Sequence, residues 1–150
     1  MTVIRFSVSI IGIRGVYRII EAGEDCTLDD LHEAIYEAFD RDDPHLYSFY
    51  ITGEDTQSIR KIHNAPEITS PEYCDDGLGS GTSRLSAAKV TLGDLQLEKG
   101  DIFHYLFDFG DEWWHRIRVD AITEDKQGKN RIKIVKSIGE SPPQYEAFEE

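Results

Sequence analysis

The sequence predicts an α+β fold in which a mainly antiparallel sheet packs on one main helix. Three observations carry this expectation. Residues 3–11 alternate in polarity and are followed at once by a second strand pattern. One strongly amphipathic helix pattern runs over 28–39. Residues 101–122, DIFHYLFDFGDEWWHRIRVDAI, form two aromatic-rich strand patterns joined across Gly110-Asp111. A chain of 150 residues holds one domain with a real core and is short for two, so residues 1–150 are expected to form a single domain.

In the first hairpin, Ile4, Phe6, Val8 and Ile10 share one face while Arg5, Ser7 and Ser9 share the other, the period of a half-buried strand. Residues 12–15 read as a turn and 16–21 as the second strand. Thr27-Leu28-Asp29-Asp30 has the form of a helix start: the threonine oxygen accepts an exposed amide, and the early carboxylates complement the positive end of the helix dipole. Leu28, Leu31, Ile35, Ala38 and Phe39 then fall on one stripe, leaving Asp29, Asp30, Glu33 and Glu37 towards water. Pro44 ends the helix before a strand at 45–51, on which His45, Tyr47, Phe49 and Ile51 point one way.

Residues 52–90 read as a loop-rich insertion, with an edge strand at 59–63 and a mobile, Gly- and Ser-rich span at 70–83. Thr91-Leu92-Gly93-Asp94 caps a short helical turn. After the central hairpin, 125–129 reads as a turn, 130–137 as a last strand with Ile132 and Ile134 inward, and 138–150 as an extended, partly loose tail.

With a two-residue turn at Gly110-Asp111, Phe109 pairs with Glu112. One face then carries Ile102, His104, Leu106, Asp108, Trp113, His115, Ile117 and Val119, and the other Phe103, Tyr105, Phe107, Phe109, Trp114, Arg116 and Arg118. A three- or five-residue loop shifts this register and swaps faces. Neither face is plainly polar, which places the hairpin centrally in a curled sheet or under cover on both sides, with a loop or a partner on the second face.

Composition narrows the function classes. Hydrophobic residues at 39% and charged residues at 30% are globular usage, and no apolar run approaches the ~20 residues that span a bilayer. The N-terminus lacks the pattern of a signal peptide, so a cytoplasmic location is expected. Cys26 and Cys74 have no metal-type spacing and read as free thiols. A net charge of −13 opposes binding to nucleic acid phosphates or anionic lipid. The charge is segregated: acids crowd 21–43, while Lys126, Lys129, Arg131, Lys133 and Lys136 are clustered later.

Three segments, TLDDLHEAI at 27–35, DDPHLYSFYI at 42–51 and YLFDFGDEWWHRIRV at 105–119, together with the leader Thr91-Leu92 and the pair Tyr17-Arg18, resemble the plasmid pRiA4b ORF-3-like proteins. The resemblance covers most of the chain, and its FDFGDEW-W-H centre is specific. It implies a strongly bent, roll-like antiparallel sheet wrapped around one helix. It brings no established activity, and it implies an association with mobile genetic elements. The chain departs from the family's pattern at its end, where Gly139-Glu140-Ser141-Pro142-Pro143-Gln144-Tyr145 stands in place of an acidic Pro-Pro-Glu-Asp-type motif.

The candidate site residues are His32, His45, Asp108, Asp111, Trp113 and His115. Histidines with carboxylates suit zinc or iron, and a metal-dependent hydrolase using His32, His45, Asp108, Asp111 and His115 is one reading. The second histidine of a helical HExxH site is absent after His32. Structural roles explain the same residues more simply: aspartates accepting turn amides, and His115 paired with a core polar group. Ser80 lies between glycines without a nucleophile-elbow pattern, and GLGSGT lacks the lysine of a phosphate loop. Single-stranded nucleic-acid binding would use Arg116, Arg118, Arg131 and Lys133 beside Phe103, Tyr105 and Trp114, but net charge opposes it. With no complete catalytic set, no cofactor and no metal site are assigned. The expectation is a non-enzymatic binding module that meets a protein partner.

Overall fold

The computed structural model describes residues 1–74, 84–125 and 132–144. Ser80 with its neighbouring glycines, the turn residues from Lys126 to Lys129, Arg131 and the tail from Tyr145 lie outside the described residues.

The described elements run β1 (Thr2–Ile10), β2 (Tyr17–Gly23), α1 (Leu28–Ala38), β3 (Tyr47–Tyr50), α2 (Ile59–His63), β4 (Glu67–Thr69), α3 (Pro71–Cys74), β5 (Leu85–Ser86), a 3-10 turn (Gly93–Leu95), β6 (Ile102–Phe107), β7 (Trp113–Glu124) and β8 (Ile132–Ile138). The strands form one open sheet in the order β5-β4-β3-β6-β7-β1-β2-β8. Among the described residues, only the short β4–β5 pair is parallel. The fold is thus α+β, a mostly antiparallel sheet with one main helix.

Bulges between Arg5 and Phe6 and between Ile19 and Ile20 bend the middle strands. The sheet thereby reaches around α1, which meets Tyr47 and Tyr105 of β3 and β6 through His32 and lies against β2 and β8. Leu28, Leu31 and Ile35 of α1 are buried with Phe6, Val8, Ile20, Phe49, Phe103 and Ile117 in the main core. Each such side chain stabilises by about 1.5–3 kcal/mol relative to leaving it in water. The helix starts where expected: Thr27 Oγ1 accepts from the Asp30 amide, and the Asp30 carboxylate accepts from the Thr27 amide. Its last turn has no basic residue, and Arg18 of β2 supplies one. The buried Arg18 donates through Nε to the Ala38 carbonyl at 2.7 Å, complementing the negative helix end.

Two expectations need correction. The central hairpin turns through five residues, Asp108 to Glu112, so Phe107 pairs with Trp113 and Tyr105 with His115. Asp108 and Glu112 both take left-handed backbone angles, which the longer loop requires and the two-residue turn would not. The β7 faces are therefore exchanged: Trp113, His115 and Ile117 join Phe103, Tyr105 and Phe107 on the α1 side. The outward face carries His104, Leu106, Trp114, Arg116 and Arg118.

The expected edge strand at 59–63 is the short helix α2, capped by Ser58, whose oxygen accepts from the Lys61 amide. Five residues carry too little periodicity to separate strand from helix. Leu106, Trp114, Tyr50 and Ile62 form a second cluster, so the outward face of the hairpin is covered by the chain itself. The tail is held as far as Gln144: Ser141 Oγ donates to the Phe39 carbonyl, and buried Gln144 accepts from the Asp42 and Asp43 amides while donating to the Asp43 carbonyl. These bonds satisfy backbone groups just beyond α1.

Candidate functional site

The end of α1, the segment leading into β3 and the tip of the central hairpin meet around Phe107, a buried ring at the end of β6. His32 lies with its ring centroid 6.1 Å from Phe107, and His45 at 5.8 Å. Arg41 sits over the same ring at 5.2 Å, and Trp113 is the cross-strand neighbour. Five of the six candidates, His32, His45, Asp108, Trp113 and His115, are thus brought into one neighbourhood. Asp111 is exposed at the turn tip and contributes its backbone amide.

His32 stacks on Tyr47 with centroids 3.7 Å apart and places Nδ1 2.6 Å from the Tyr105 hydroxyl. Tyr105 is fully buried and its pKa is pushed well up, so it stays a neutral donor. Nδ1 therefore accepts, and the ring proton sits on Nε2, facing Glu33 Oε1 at 3.9 Å. Burial lowers the His32 pKa to about 3. Tyr47 in turn donates from its hydroxyl to Asp29, and burial and that carboxylate push its pKa upward.

His115 is fixed from both sides. The guanidinium of Arg41 has no acceptor, so at 3.2 Å its Nη2 donates to His115 Nε2, and Nδ1 carries the proton that goes to the Trp113 carbonyl at 3.0 Å. Burial, then the neighbouring Arg41 charge, lowers the His115 pKa to about 3.

Asp108 is buried and organises the turn. Its Oδ1 accepts from the Gly110 amide at 3.0 Å and the Asp111 amide at 3.3 Å, and its Oδ2 lies 3.4 Å from His45 Nε2. Its own amide donates to the Leu46 carbonyl, which ties the turn to the His45 segment.

Proximity here does not make a ligand set. Two histidines have nitrogens committed to partners inside the core, and Asp108 holds backbone. Among the described residues no three His, Cys, Asp or Glu side chains gather as metal ligands. The nucleic-acid candidates are dispersed as well. Phe103 and Tyr105 lie in the core, and Trp114 is covered by Tyr50 and His63. Arg116 is paired bidentately with Asp55 at 2.8 and 3.0 Å, and Arg118 lies 4.0 Å from Asp120.

An open pocket of about 530 Å³ lies on the α1 side, with Asp29, His32, Glu33, His45, Tyr47 and Glu72 in its lining. It reaches two of the sequence candidates and adds three carboxylates from α1 and α3. Partial burial, then Asp29, Asp30 and Glu72, raise the Glu33 pKa, so negative charge is concentrated here. Among the described residues no helix is long and apolar enough to cross a membrane.

Sequence reasoning passed over Arg41. It is a buried cation beside the Phe107 ring, and its place after the helix, before Asp42-Asp43-Pro44, carries no periodic signal. The sole hint was the aromatic content of the segments that fold around it: Phe39, Phe107 and Trp113 lie 5.8, 5.2 and 4.6 Å from its guanidinium carbon.

No curated protein matches the chain. Among solved structures, a crystal structure of a protein of unknown function from Methanosarcina mazei Go1 is similar, with 25% identity and a TM-score of 0.71 over 95% of this chain and 72% of that one. The family model for plasmid pRiA4b ORF-3-like protein matches residues 2–145. A match over nearly the whole chain, carried on a sheet-and-helix fold shared with that archaeal structure, establishes kinship: the chain belongs to the plasmid pRiA4b ORF-3-like protein family.

Proposed function

We propose that the protein is a non-enzymatic binding module whose acidic pocket receives a basic side chain of a protein partner. The observation that carries this reading is the pocket's charge: Asp29, Glu33 and Glu72 converge on about 530 Å³ with no lysine or arginine among the described lining residues, and partial burial followed by the neighbouring carboxylates raises the Glu33 pKa. An ammonium or guanidinium group relieves that repulsion and finds carboxylate acceptors already in place. His32 is held neutral, so it adds no opposing charge.

The commitment of ring nitrogens to Tyr105, Arg41 and the Trp113 carbonyl supports a binding role over acid–base catalysis, because a catalytic histidine must exchange its proton with substrate. In the same reading the location is cytoplasmic and the protein is linked to mobile genetic elements.

Isothermal titration with penta-lysine at low salt tests the pocket. Binding should weaken with salt, and Glu33→Gln/Glu72→Gln should reduce it by about fivefold or more, since removing charges that face a bound cation costs affinity. Glu98→Gln/Asp101→Asn removes the same charge elsewhere and should leave most binding intact. Equal loss in the two double variants would mean general attraction to an acidic protein and would sink the proposal.

A further inference from the structure

Among the described residues, three buried N–H donor atoms lie without acceptors in one place. Arg41 is 6% exposed, and neither its Nε nor its Nη1 has a hydrogen-bond partner; the same holds for Trp113 Nε1. The two residues are stacked, with the guanidinium carbon 4.6 Å from the Trp113 ring. Leaving such donors dry costs free energy comparable to a lost hydrogen bond each, more for a charged group. Arg41 has one hydrogen-bond acceptor, neutral His115, and no ion pair among the described residues. Asp108 is close enough to act on Arg41 through its charge but spends its oxygens on the turn amides and His45.

We propose that Arg41 and Trp113 form a binding site for a carboxylate. The groups are donor-only and one is cationic, so the species that satisfies them is an anion with acceptor oxygens. A singly charged acid suits the site better than a phosphate dianion, because the Asp108 carboxylate already acts on Arg41 with negative charge. Phe39, Phe107 and Trp113 wall the guanidinium with aromatic surface, which favours a carboxylate on an apolar body. Trp113 is itself partly exposed, so the donors lie one side chain beneath the surface. Entry requires local opening, and the backbone on either side of Arg41 is held at Phe39 by Ser141 and at Asp42 and Asp43 by Gln144. The site faces the hairpin tip and is independent of the acidic pocket.

Acetate is the probe, at pH 7 and constant ionic strength, with chloride and inorganic phosphate as comparison arms. Acetate should raise the thermal midpoint saturably and change Trp113 fluorescence in a Trp114→Phe background, with phosphate weaker. Trp113→Phe keeps the stacking ring and removes only the indole donor; it should weaken acetate binding by about tenfold, the loss of one hydrogen bond to a charged acceptor. Arg41→Met should abolish it. Acetate acting no differently from chloride, or acting fully on Arg41→Met, would overturn the proposal and leave ordered water as the acceptor for these donors.

Discussion

His32 Nδ1 lies 2.6 Å from the Tyr105 hydroxyl, joining the middle of α1 to the middle of β6 across 73 residues of sequence. It is a fully internal bond between two buried side chains, and the Tyr47 ring stacked on His32 leaves little room for water to replace either partner.

Tyr105→Phe removes the donor and strands His32 Nδ1. Unfolding free energy in urea should fall by about 1–3 kcal/mol, the cost of a buried group losing its partner. His32→Phe strands the Tyr105 hydroxyl in the same way, and the double variant should cost clearly less than the sum, with a coupling of about 0.5–3 kcal/mol. Strict additivity would show that the bond contributes nothing.

Stability should fall as pH drops below neutrality. An unfolded histidine titrates near 6.5, whereas folded His32 and His115 do so at about 3, and burial lowers His104 too. Between those values the unfolded chain takes up protons that the folded protein refuses. The contribution is therefore complete above about pH 6.5 and is lost as pH falls towards 3, at about 1.4 kcal/mol per pH unit for each group. His115→Gln keeps an acceptor for Arg41 and should lower the slope between pH 6 and 5 by up to about 1.4 kcal/mol per pH unit. An unchanged slope in chemical denaturation would contradict the neutral, core-bound state of His115.

Asp108 holds a positive φ of 67° while its carboxylate accepts two turn amides. Asn tolerates that backbone and keeps an acceptor oxygen, whereas Ala does neither. Asp108→Ala should cost roughly 1–2 kcal/mol for the backbone alone, with the lost turn bonds in addition, and Asp108→Asn appreciably less. Equal costs for the two variants, measured by thermal unfolding, would place the role of Asp108 in its charge instead.

Local chemistry explains which elements were legible. Thr27 and Asp30 carry the cap of α1 within four residues, and the stripe from Leu28 to Phe39 states which side is buried. The alternation of β1 likewise needs no distant information. At 59–63 five residues supported either period, and burial of Ile62 beneath Trp114 and Leu106 decided for helix. The hairpin register depended on loop length, which the Gly110 signal misassigned because the left-handed angles fall on Asp108 and Glu112 and not on Gly110.

The site divides along the same line. His32, His45, Asp108, Trp113 and His115 were recognisable from the sequence as polar or aromatic residues needing partners, and the family resemblance was carried by the same segments. Their partners were not recognisable. Tyr105 and Arg41 are set against His32 and His115 only when the sheet bends round α1, and Arg18 and Gln144 satisfy the end of that helix from strands and tail far along the chain. Periodicity and short-range hydrogen bonds were enough to place β1, α1 and the central hairpin strands, the buried faces of β1 and α1, and the family. Only the tertiary structure decided which donors met acceptors and which were left buried without one, because that depends on register and on contacts between residues about 70 to 100 positions apart.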